Sequence, residues 1–310
     1  MSVLSALTGV GFDQLAGEPP WRWHPVAAYG SLMSRVERHI YADRRINGAV
    51  LTAIGTGLGV TTGLALRRLL GPGAATLIAT AVCAAGKMLD DEAAAIARLL
   101  AAGDLLAART RLRSLVGRST DDLDESEISR AAIESVAENS VDAVTASLLW
   151  AAVAGAPGVL AHRAVNTLDA MVGHHSDRYE RFGWASARLD DLANYVPARI
   201  TALCVAIARP RRVSAIARVV RQDAPQHPSP NGGIIEAAYA AALDVRLGGV
   251  NRYAGTIENR GTLGHGAPPN HAAIADAIRL RGHTTITMAV LLLTARSLSR
   301  AGKPVNARIG

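Results

Sequence analysis

Residues 124–161 read DESEISRAAIESVAENSVDAVTASLLWAAVAGAPGVLA. Asp124 followed by Glu127 predicts a helix start, because each side chain can accept a hydrogen bond from the other residue's backbone N–H. No charged residue occurs from Ala143 to Ala161. This apolar run is long enough to enter a bilayer, so the stretch predicts a polar helix that leads directly into a membrane span.

Three carboxylates recur on the polar helix. Glu134, Glu138 and Asp142 lie at positions i, i+4 and i+8, which places them on one side of it. Like charges at this spacing repel by roughly 0.2–0.5 kcal/mol per pair. Such a stripe is compensated by arginine, by a divalent cation or by solvent, and the pattern leaves all three open.

Further uncharged runs predict a transmembrane hairpin earlier in the chain. Ile46–Leu66 contains no charge, and Leu69–Gly86 is the next such run, broken near its start by Gly71, Pro72 and Gly73. Gly282–Ala295 predicts a final apolar helix that is short for a full span. Glycine recurs at every fourth position of the first run, which lets a neighbouring helix approach closely; these residues are Gly55, Gly59 and Gly63.

The other segments complete an all-α prediction. Amphipathic helices are expected at Val26–His39 and Ile234–Val245, and two more within Lys87–Val116, where Gly103 separates them and Asp104 is a good N-cap. Loops are expected at Gly17–Pro25, where Trp21 and Trp23 suit a membrane interface, at Asp223–Gly233, and at Gly248–Pro269. Together these features predict one polytopic membrane helical bundle over residues 1–310, with polar loops carrying the site.

Composition narrows the classes of function. The net charge is +7 and only 4% of residues are aromatic. The basic excess suits arginines flanking membrane spans, or anionic substrates such as phosphates. Nucleic acid is not an expected partner, because no binding motif and no base-stacking platform is visible. Cys83 and Cys204 are expected to be buried free thiols. The N-terminus has no basic n-region, so we expect no cleaved signal peptide.

Polar residues with catalytic potential fall into four groups. The chain has no P-loop, GxSxG, HExxH or paired CxxC motif. The groups are Glu134, Glu138, Asn139 and Asp142; Arg163, Asn166 and Asp169; Arg188, Asp190, Asp191 and Asn194; and Asp223, His227, Ser229, Asn231 and Glu236. Hard oxygen ligands in this number suit Mg²⁺ with a nucleoside triphosphate, and arginine forks suit phosphate oxygens. A solvated or arginine-paired helix face is the plainer interpretation of the carboxylate stripe.

Four segments carry a resemblance to a known family. They are GEPPWRWHPVAAYG (17–30), IESVAENSVDAV (133–144), AHRAVNTLDAMVGHHSDRYERFGWASARLDDLANYVPAR (161–199) and DAPQHPSPNGGIIEAAYAAALDVRLGG (223–249). In this order they resemble the CobD/CbiB family of cobalamin-biosynthesis proteins, the adenosylcobinamide-phosphate synthases.

The resemblance implies a reaction and its partners. Adenosylcobyric acid would be joined through an amide bond to (R)-1-amino-2-propanol or its O-phosphate, with ATP and Mg²⁺ and no bound prosthetic group. The implied location is the inner cell membrane, as a multi-pass protein in contact with lipid. Association with other membrane enzymes of cobalamin assembly is a further expectation.

The residues that match the family's segments are the expected site. Catalytic roles are expected of Glu134, Glu138, Asn139, Asp142, Asn166, Asp169, Asp190 and His227. Substrate or phosphate contacts are expected of Arg118, Arg163, Arg188, Ser229 and Asn231, although Arg118 equally suits a structural turn. Glu138 and Asp142 are the expected Mg²⁺ ligands, and one carboxylate or His227 is expected to act as general base.

Two other classes of protein stay open. A non-catalytic membrane sensor or transporter could share the helical scaffold, but it would not need so many polar side chains in loops beside the spans. A soluble, alanine-rich helical enzyme is opposed by the uncharged runs at Ile46–Leu66 and Ala143–Ala161.

Overall fold

The computed structural model describes residues 2–17, 24–174, 176–253 and 256–301. Within them the chain is mostly helical, as expected for an all-α protein. Trp21 and Trp23, predicted to lie at a membrane interface, are outside the described residues. The helices are α1 Ser2–Ala16, α2 Pro25–Ile40, α3 Arg45–Cys83, α4 Gly86–Ala101, α5 Leu105–Leu112, α6 Glu125–Asn139, α7 Ala146–Ala154, α8 Ala156–Leu168, α9 Trp184–Ala208, α10 Val213–Gln222, α11 Gly232–Leu243 and α12 His271–Ala301.

The long helix α3 folds back on itself at Gly71. This glycine has φ 76° and ψ 163°, which no helical residue adopts, and Pro72 follows it. Residues 58–62 on one arm and residues 82–83 on the other line a common groove, so the two arms run side by side. The predicted helical hairpin is therefore present, with its turn at the predicted glycine and proline.

Glycines set the close contact between α3 and α8. A Cβ atom added at Gly59 would lie 2.7 Å from the Leu160 carbonyl oxygen, and one added at Gly63 would lie 2.5 Å from Pro157 Cα. Both distances are too short for a side chain. The four-residue glycine repeat thus does what the sequence predicted, because it lets the backbones of two helices touch.

The apolar run after Asp142 is not one span, and this prediction was wrong. Helix α7 ends at Ala154, Gly155 adopts φ 66°, and α8 begins at the next residue with Pro157 in its first turn. A proline there cannot continue a helix, because it lacks the N–H that the preceding turn would bind. A Cβ at Gly158 would lie 2.6 Å from the Trp150 carbonyl oxygen, so α8 packs tightly against α7.

Helix α1 carries a buried acid near its C-terminal end. The helix runs from Ser2 to Ala16 and includes Asp13. Asp13 is 1% exposed. Its Oδ2 accepts hydrogen bonds from the backbone N–H groups of Gly86 (3.0 Å) and Lys87 (3.3 Å). Asp13 therefore satisfies the first amides of α4 from a distant part of the chain.

Residues 247–253 and 256–263 form a β-hairpin where the sequence predicted a loop. Strands β1 (Leu247–Tyr253) and β2 (Thr256–Leu263) pair antiparallel, with a register shift between Gly248 and Val250. Gly248, Gly249 and Gly261 have positive φ values. These glycines led to the prediction of a loop, because the backbone conformation that they permit is typical of turns.

The final helix is longer than the sequence predicted. Helix α12 spans 31 residues rather than the expected Gly282–Ala295. Its polar first half continues because Arg281, 3% exposed in its side chain, pairs with Asp90 of α4, the Nε–Oδ1 distance being 2.7 Å. An internal partner makes this buried charge tolerable.

Among the described residues, one helical segment is long and apolar enough to cross a membrane, Arg45–Ala101 across α3 and α4. By this test the polytopic prediction is not confirmed, because the other uncharged runs are shorter or are interrupted. The remaining predicted helices are present: α2, α11, and the pair α4 and α5, where Asp104 accepts from Ala107 N–H at 3.0 Å.

Candidate active site

A cavity of about 230 Å³ lies between the end of α6, the first half of α9 and the start of α11. Six predicted residues line it, and together they represent all four polar groups of the sequence. The lining residues are Glu138, Val141, Asp142, Asp169, Asp190, Asn194, Ala198, Ser229, Asn231, Gly232 and Ile235. Polar groups that are far apart in the sequence therefore meet at one concave site.

Two π-helical segments deliver the carboxylates to this cavity. Residues 140–145 follow α6 as a π-helix that contains Asp142, and residues 169–173 follow α8 as another that begins with Asp169. The wider π turn changes which side chains share a face, and such segments are frequent at functional sites. Glu138 and Asp142 reach the cavity, whereas Glu134 points elsewhere.

Asp142, Asp169 and Asp190 form an acidic cluster. Burial, and then the neighbouring Asp190 and Glu138, raise the pKa of Asp142 well above its ordinary value. Burial raises the pKa of Asp169 to about 7, with Asp190 and Asp191 adding to the rise. Burial likewise raises the pKa of Asp190 to about 6. Without a cation the cluster holds protons near neutral pH, because its charges would repel one another.

Amide side chains support the cluster. Asn166 Nδ2 donates to Asp142 Oδ2 at 3.1 Å. Asn194 Nδ2 donates to Asp190 Oδ2 at 3.1 Å, while its Oδ1 lies 2.8 Å from His162 Nε2. Each of these two amide hydrogen bonds thus fixes the orientation of one aspartate side chain.

The cluster fits Mg²⁺, the cation that the family resemblance implies. Asp190 Oδ1 is buried and has no hydrogen-bond partner among the described residues. A partnerless buried carboxylate oxygen, beside two further aspartates, is the hard donor set that Mg²⁺ takes. Asp142, one of the two predicted Mg²⁺ ligands, belongs to this aspartate cluster. Glu138, the other predicted ligand, lies between the aspartate cluster and a second group of charged side chains.

That second group consists of Glu138, His227, Glu236 and Arg260. Arg260 Nη1 lies 3.4 Å from Glu138 Oε1 and 3.6 Å from Glu236 Oε1. His227 Nε2 lies 3.4 Å from the same Glu236 oxygen. Burial raises the pKa of Glu236 to about 8, and Glu134 and Glu138 add to the rise. Burial acts to lower the pKa of His227, but the nearby Glu236 carboxylate reverses this and the net change is a rise.

Hydrogen bonds within the loop at 223–233 and between this loop and α9 hold its residues in place. Ser229 Oγ accepts from the backbone N–H groups of Asn231 (3.4 Å) and Gly232 (3.0 Å), so it satisfies the first backbone N–H of α11. Asn231 Nδ2 donates to the Asp191 carbonyl at 2.8 Å, and its Oδ1 accepts from Arg199 at 3.1 Å. Asn231 therefore ties α9 to α11.

A side chain at Gly232 would crowd two residues of the site. A Cβ there would lie 3.1 Å from His227 Cε1 and 3.3 Å from Glu138 Oε1. A Cβ at the adjacent Gly233 would lie 2.6 Å from the Ala224 carbonyl oxygen. The glycine pair lets helix α11 begin directly beside the imidazole and the carboxylate.

Seven predicted residues lie outside the cavity lining: Asn166 and His227, whose contacts are given above, and five others. Glu134 and Arg118 form a buried ion pair. Asn139 Nδ2 donates to the Ser135 carbonyl at 2.9 Å on its own helix. Arg163 Nη1 donates to Asn166 Oδ1 at 3.4 Å, behind the acidic cluster. Arg188 is exposed on the first turns of α9. The chemical roles predicted for these residues remain predictions.

Sequence reasoning underrated three residues of the site. Asn194 and Glu236 were recognised in polar groups but given no role. Arg260 was missed, because it was assigned to a loop and in fact lies on β2, which directs it toward Glu138. Little in the sequence indicated this strand, because residues 256–263 read TIENRGTL and show no regular apolar alternation.

Comparison with known proteins places the chain in a family. The model of the CobD/CbiB protein family matches residues 6–281. A protein of Mycobacterium tuberculosis named cobalamin biosynthesis protein CobD is 46% identical over 283 residues, covering 89% of this chain and 90% of that protein. Proteins of the same name from Rhodobacter capsulatus and Halalkalibacterium halodurans are each 41% identical, over 88% and 94% of this chain and 91% and 95% of their own lengths. No solved structure matches the chain. With a match that spans most of its length, the chain belongs to the CobD/CbiB family.

Proposed function

We propose that this protein acts in cobalamin biosynthesis as a membrane-bound, ATP-dependent ligase. It joins a propionate carboxyl of adenosylcobyric acid to the amine of (R)-1-amino-2-propanol or its O-phosphate, giving adenosylcobinamide or adenosylcobinamide phosphate. The shared name of its relatives supports the pathway. The observation that carries the reaction is the convergence of Glu138, Asp142, Asp169 and Asp190 on one cavity.

The acidic cavity suits the first half of such a reaction. A carboxylate resists attack by an amine in water, so ATP must first transfer a phosphoryl or adenylyl group to it. Asp142, Asp169 and Asp190 would hold Mg²⁺, which when bound neutralises charge on the phosphates. Arg163, Arg188 and Arg118 remain candidates for contacts to phosphate oxygens, with Arg188 the exposed one.

Glu138 suits the second half. The attacking amine must be neutral and loses a proton as the amide bond forms, so a base must stand at the cavity wall. Glu138 lines the cavity, and its side chain is 37% exposed. His227 is less accessible: its side chain is 1% exposed, and its Nδ1 lies 3.0 Å from the Ser229 backbone nitrogen. We therefore assign proton acceptance to Glu138, and a positioning role to His227.

Exposed apolar side chains support a multi-pass location in the inner membrane. They occur on both arms of α3, on residues 192–207 of α9 and on residues 286–298 of α12. Examples are Ile46, Val50, Ile54, Leu64, Leu69, Leu70 and Ile78 on α3, Leu192, Val196, Leu203 and Ile207 on α9, and Ile286, Val290, Leu293 and Leu298 on α12. A surface of this kind is stable when lipid covers it. It also allows association with other membrane enzymes of cobalamin assembly.

The experiment is a reconstituted ligation. Protein purified in detergent receives adenosylcobyric acid, ATP, Mg²⁺ and either amine, and mass spectrometry follows the amide product. Separating ADP from AMP identifies the group transferred. We expect Glu138→Gln to accumulate normally in membranes and to lose roughly 10²-fold or more of the rate. Extra Mg²⁺ should restore little, because the missing group is a base.

A matched variant controls for general damage. Glu125→Gln lies on the same helix but pairs with His271 far from the cavity, so its rate should stay near that of the unaltered protein. Full product formation by Glu138→Gln would remove Glu138 from the chemistry. Binding of adenosylcobyric acid without product from either amine would instead favour a non-catalytic sensor or transporter.

A further inference from the structure

Three potential metal ligands meet beside the cavity on separate elements. Glu138 ends α6, His227 lies in the loop before α11, and Glu236 lies in the second turn of α11. One ligand atom from each lies within 4.8 Å of the others. This group shares only Glu138 with the lining of the acidic cavity, and none of its members with the aspartate cluster assigned to Mg²⁺.

The interior side of the group is only partly satisfied. Glu236 is 0% exposed, and its Oε1 lies 3.4 Å from His227 Nε2 and 3.6 Å from Arg260 Nη1. Its Oε2 is buried and has no hydrogen-bond partner among the described residues. Burying a polar group with no hydrogen bond costs a protein stability, so such groups are normally satisfied by a ligand, an ion or water.

Arg260 compensates this charge only in part. Its Nη1 is shared between Glu138 and Glu236 at 3.4 and 3.6 Å, while its Nε lies 3.2 Å from Glu258. Three carboxyl groups thus share one guanidinium. Because Glu258 already contacts Arg260, the arginine can move toward that carboxylate when another cation binds.

We propose that Glu138, His227 and Glu236 form a binding site for a first-row divalent transition metal ion such as Mn²⁺ or Zn²⁺, distinct from the Mg²⁺ cluster. One imidazole with two carboxylates suits these ions, whereas Mg²⁺ favours oxygen ligands alone. His227 Nδ1 lies 3.0 Å from the Ser229 backbone nitrogen and 3.2 Å from the Ser229 carbonyl oxygen. In the tautomer whose Nδ1–H donates to that carbonyl oxygen, Nε2 has a free electron pair for a metal ion, as in many metal-bound histidines. The inference concerns binding and holds whether or not the proposed ligation is correct.

The test is metal binding by the full chain in detergent. Chelator-treated protein is dialysed against Mn²⁺, Zn²⁺ or Mg²⁺ alone, and bound metal is measured by inductively coupled plasma mass spectrometry. We expect about one equivalent of Mn²⁺ or Zn²⁺ that a large excess of Mg²⁺ does not displace. His227→Gln and Glu236→Gln should each abolish this equivalent, and Mn²⁺ bound to the unaltered protein should show a nitrogen-coupled paramagnetic resonance signal.

Two further variants keep the test decisive. Asp142→Asn removes a ligand of the aspartate cluster alone, so it should retain the Mn²⁺ or Zn²⁺ equivalent. Arg260→Met removes a competing cation and should tighten binding. Substitution of the buried Glu236 can also disturb folding. Glu138→Gln therefore removes another ligand at a half-exposed position. An absent equivalent in both the unaltered protein and Arg260→Met, or one that survives Glu138→Gln and His227→Gln, would overturn the proposal.

Discussion

Glu134 and Arg118 face each other inside the protein, with side chains 2% and 5% exposed. Glu134 Oε1 also accepts from Gly248 N–H at 2.8 Å, and Arg118 donates to Asn251. Removing one member leaves the other charge buried, which costs about 3–5 kcal/mol. We expect Arg118→Met to lower the thermal unfolding midpoint markedly in detergent, and Arg118→Met combined with Glu134→Gln to recover part of the loss. A raised KM for ATP at unchanged stability would instead make Arg118 a phosphate contact.

Asp169 makes stability depend on pH. Its pKa is raised from 3.8 to about 7, so the folded protein holds a proton that the unfolded chain releases. This contribution is complete below about pH 4 and is lost as the pH rises through about 7. With chelator present, the thermal unfolding midpoint should decrease as the pH is raised from about 5.5 to about 8.

The matched variants locate this effect. Asp169→Asn should flatten the decline, whereas Asp177→Asn, at an exposed position further along the chain, should not. Mg²⁺ should raise the midpoint more at the upper end of this pH range than at the lower end, because it replaces the protons on the cluster. An unchanged slope in Asp169→Asn would move the titrating group elsewhere.

The sequence predicted which residues line the cavity better than it predicted the contacts that each of them makes. Carboxylate and amide spacing, together with the resemblance to the family, identified Glu138, Asp142, Asp169 and Asp190 as site residues. Spacing could not show that Glu134, on the same predicted stripe, turns to Arg118, since the π segment and the β-hairpin decide what each acid meets. The contact of Arg260 with Glu138 depends on a strand pairing that the glycines concealed.

At the scale of elements, the glycines of α3 permit a sharp comparison. Gly63→Ala should destabilise the protein by about 1–3 kcal/mol, because the new methyl group would lie 2.5 Å from the backbone of Pro157. Gly57→Ala lies on the same arm with nothing within 4 Å, so it should be neutral or stabilise by up to about 1 kcal/mol. Unfolding midpoints in one detergent compare the two. Equal midpoints would mean that α3 and α8 are not in close contact.

Elements with local signals were predicted well. The Asp124 and Glu127 capping box is present, with hydrogen bonds of 2.8 and 3.0 Å, and Asp104 caps α5 as expected. Elements defined by distant contacts were not. Hydropathy alone extended a span through Gly155, and it could not show that Arg281 would pair with Asp90 and lengthen α12.

For the whole molecule, the apolar surface predicts firm attachment to lipid. Exposed apolar residues on α3, α9 and α12 would otherwise face water. The full chain should sediment with membranes and should stay in the pellet after alkaline carbonate extraction. Detergent should be needed to release it. Recovery in the carbonate supernatant would exclude a multi-pass protein.

Asp13 has a consequence for the order in which the chain is made. The carboxylate that completes the start of α4 precedes Gly86 by 73 residues. At typical rates of synthesis, about 4–15 s pass between the two positions. Helix α1 is therefore synthesised before the backbone amides that Asp13 binds, and until then water hydrates its carboxylate. A nascent chain stalled before residue 86 should accordingly hold helix α1 less firmly than one stalled well beyond it.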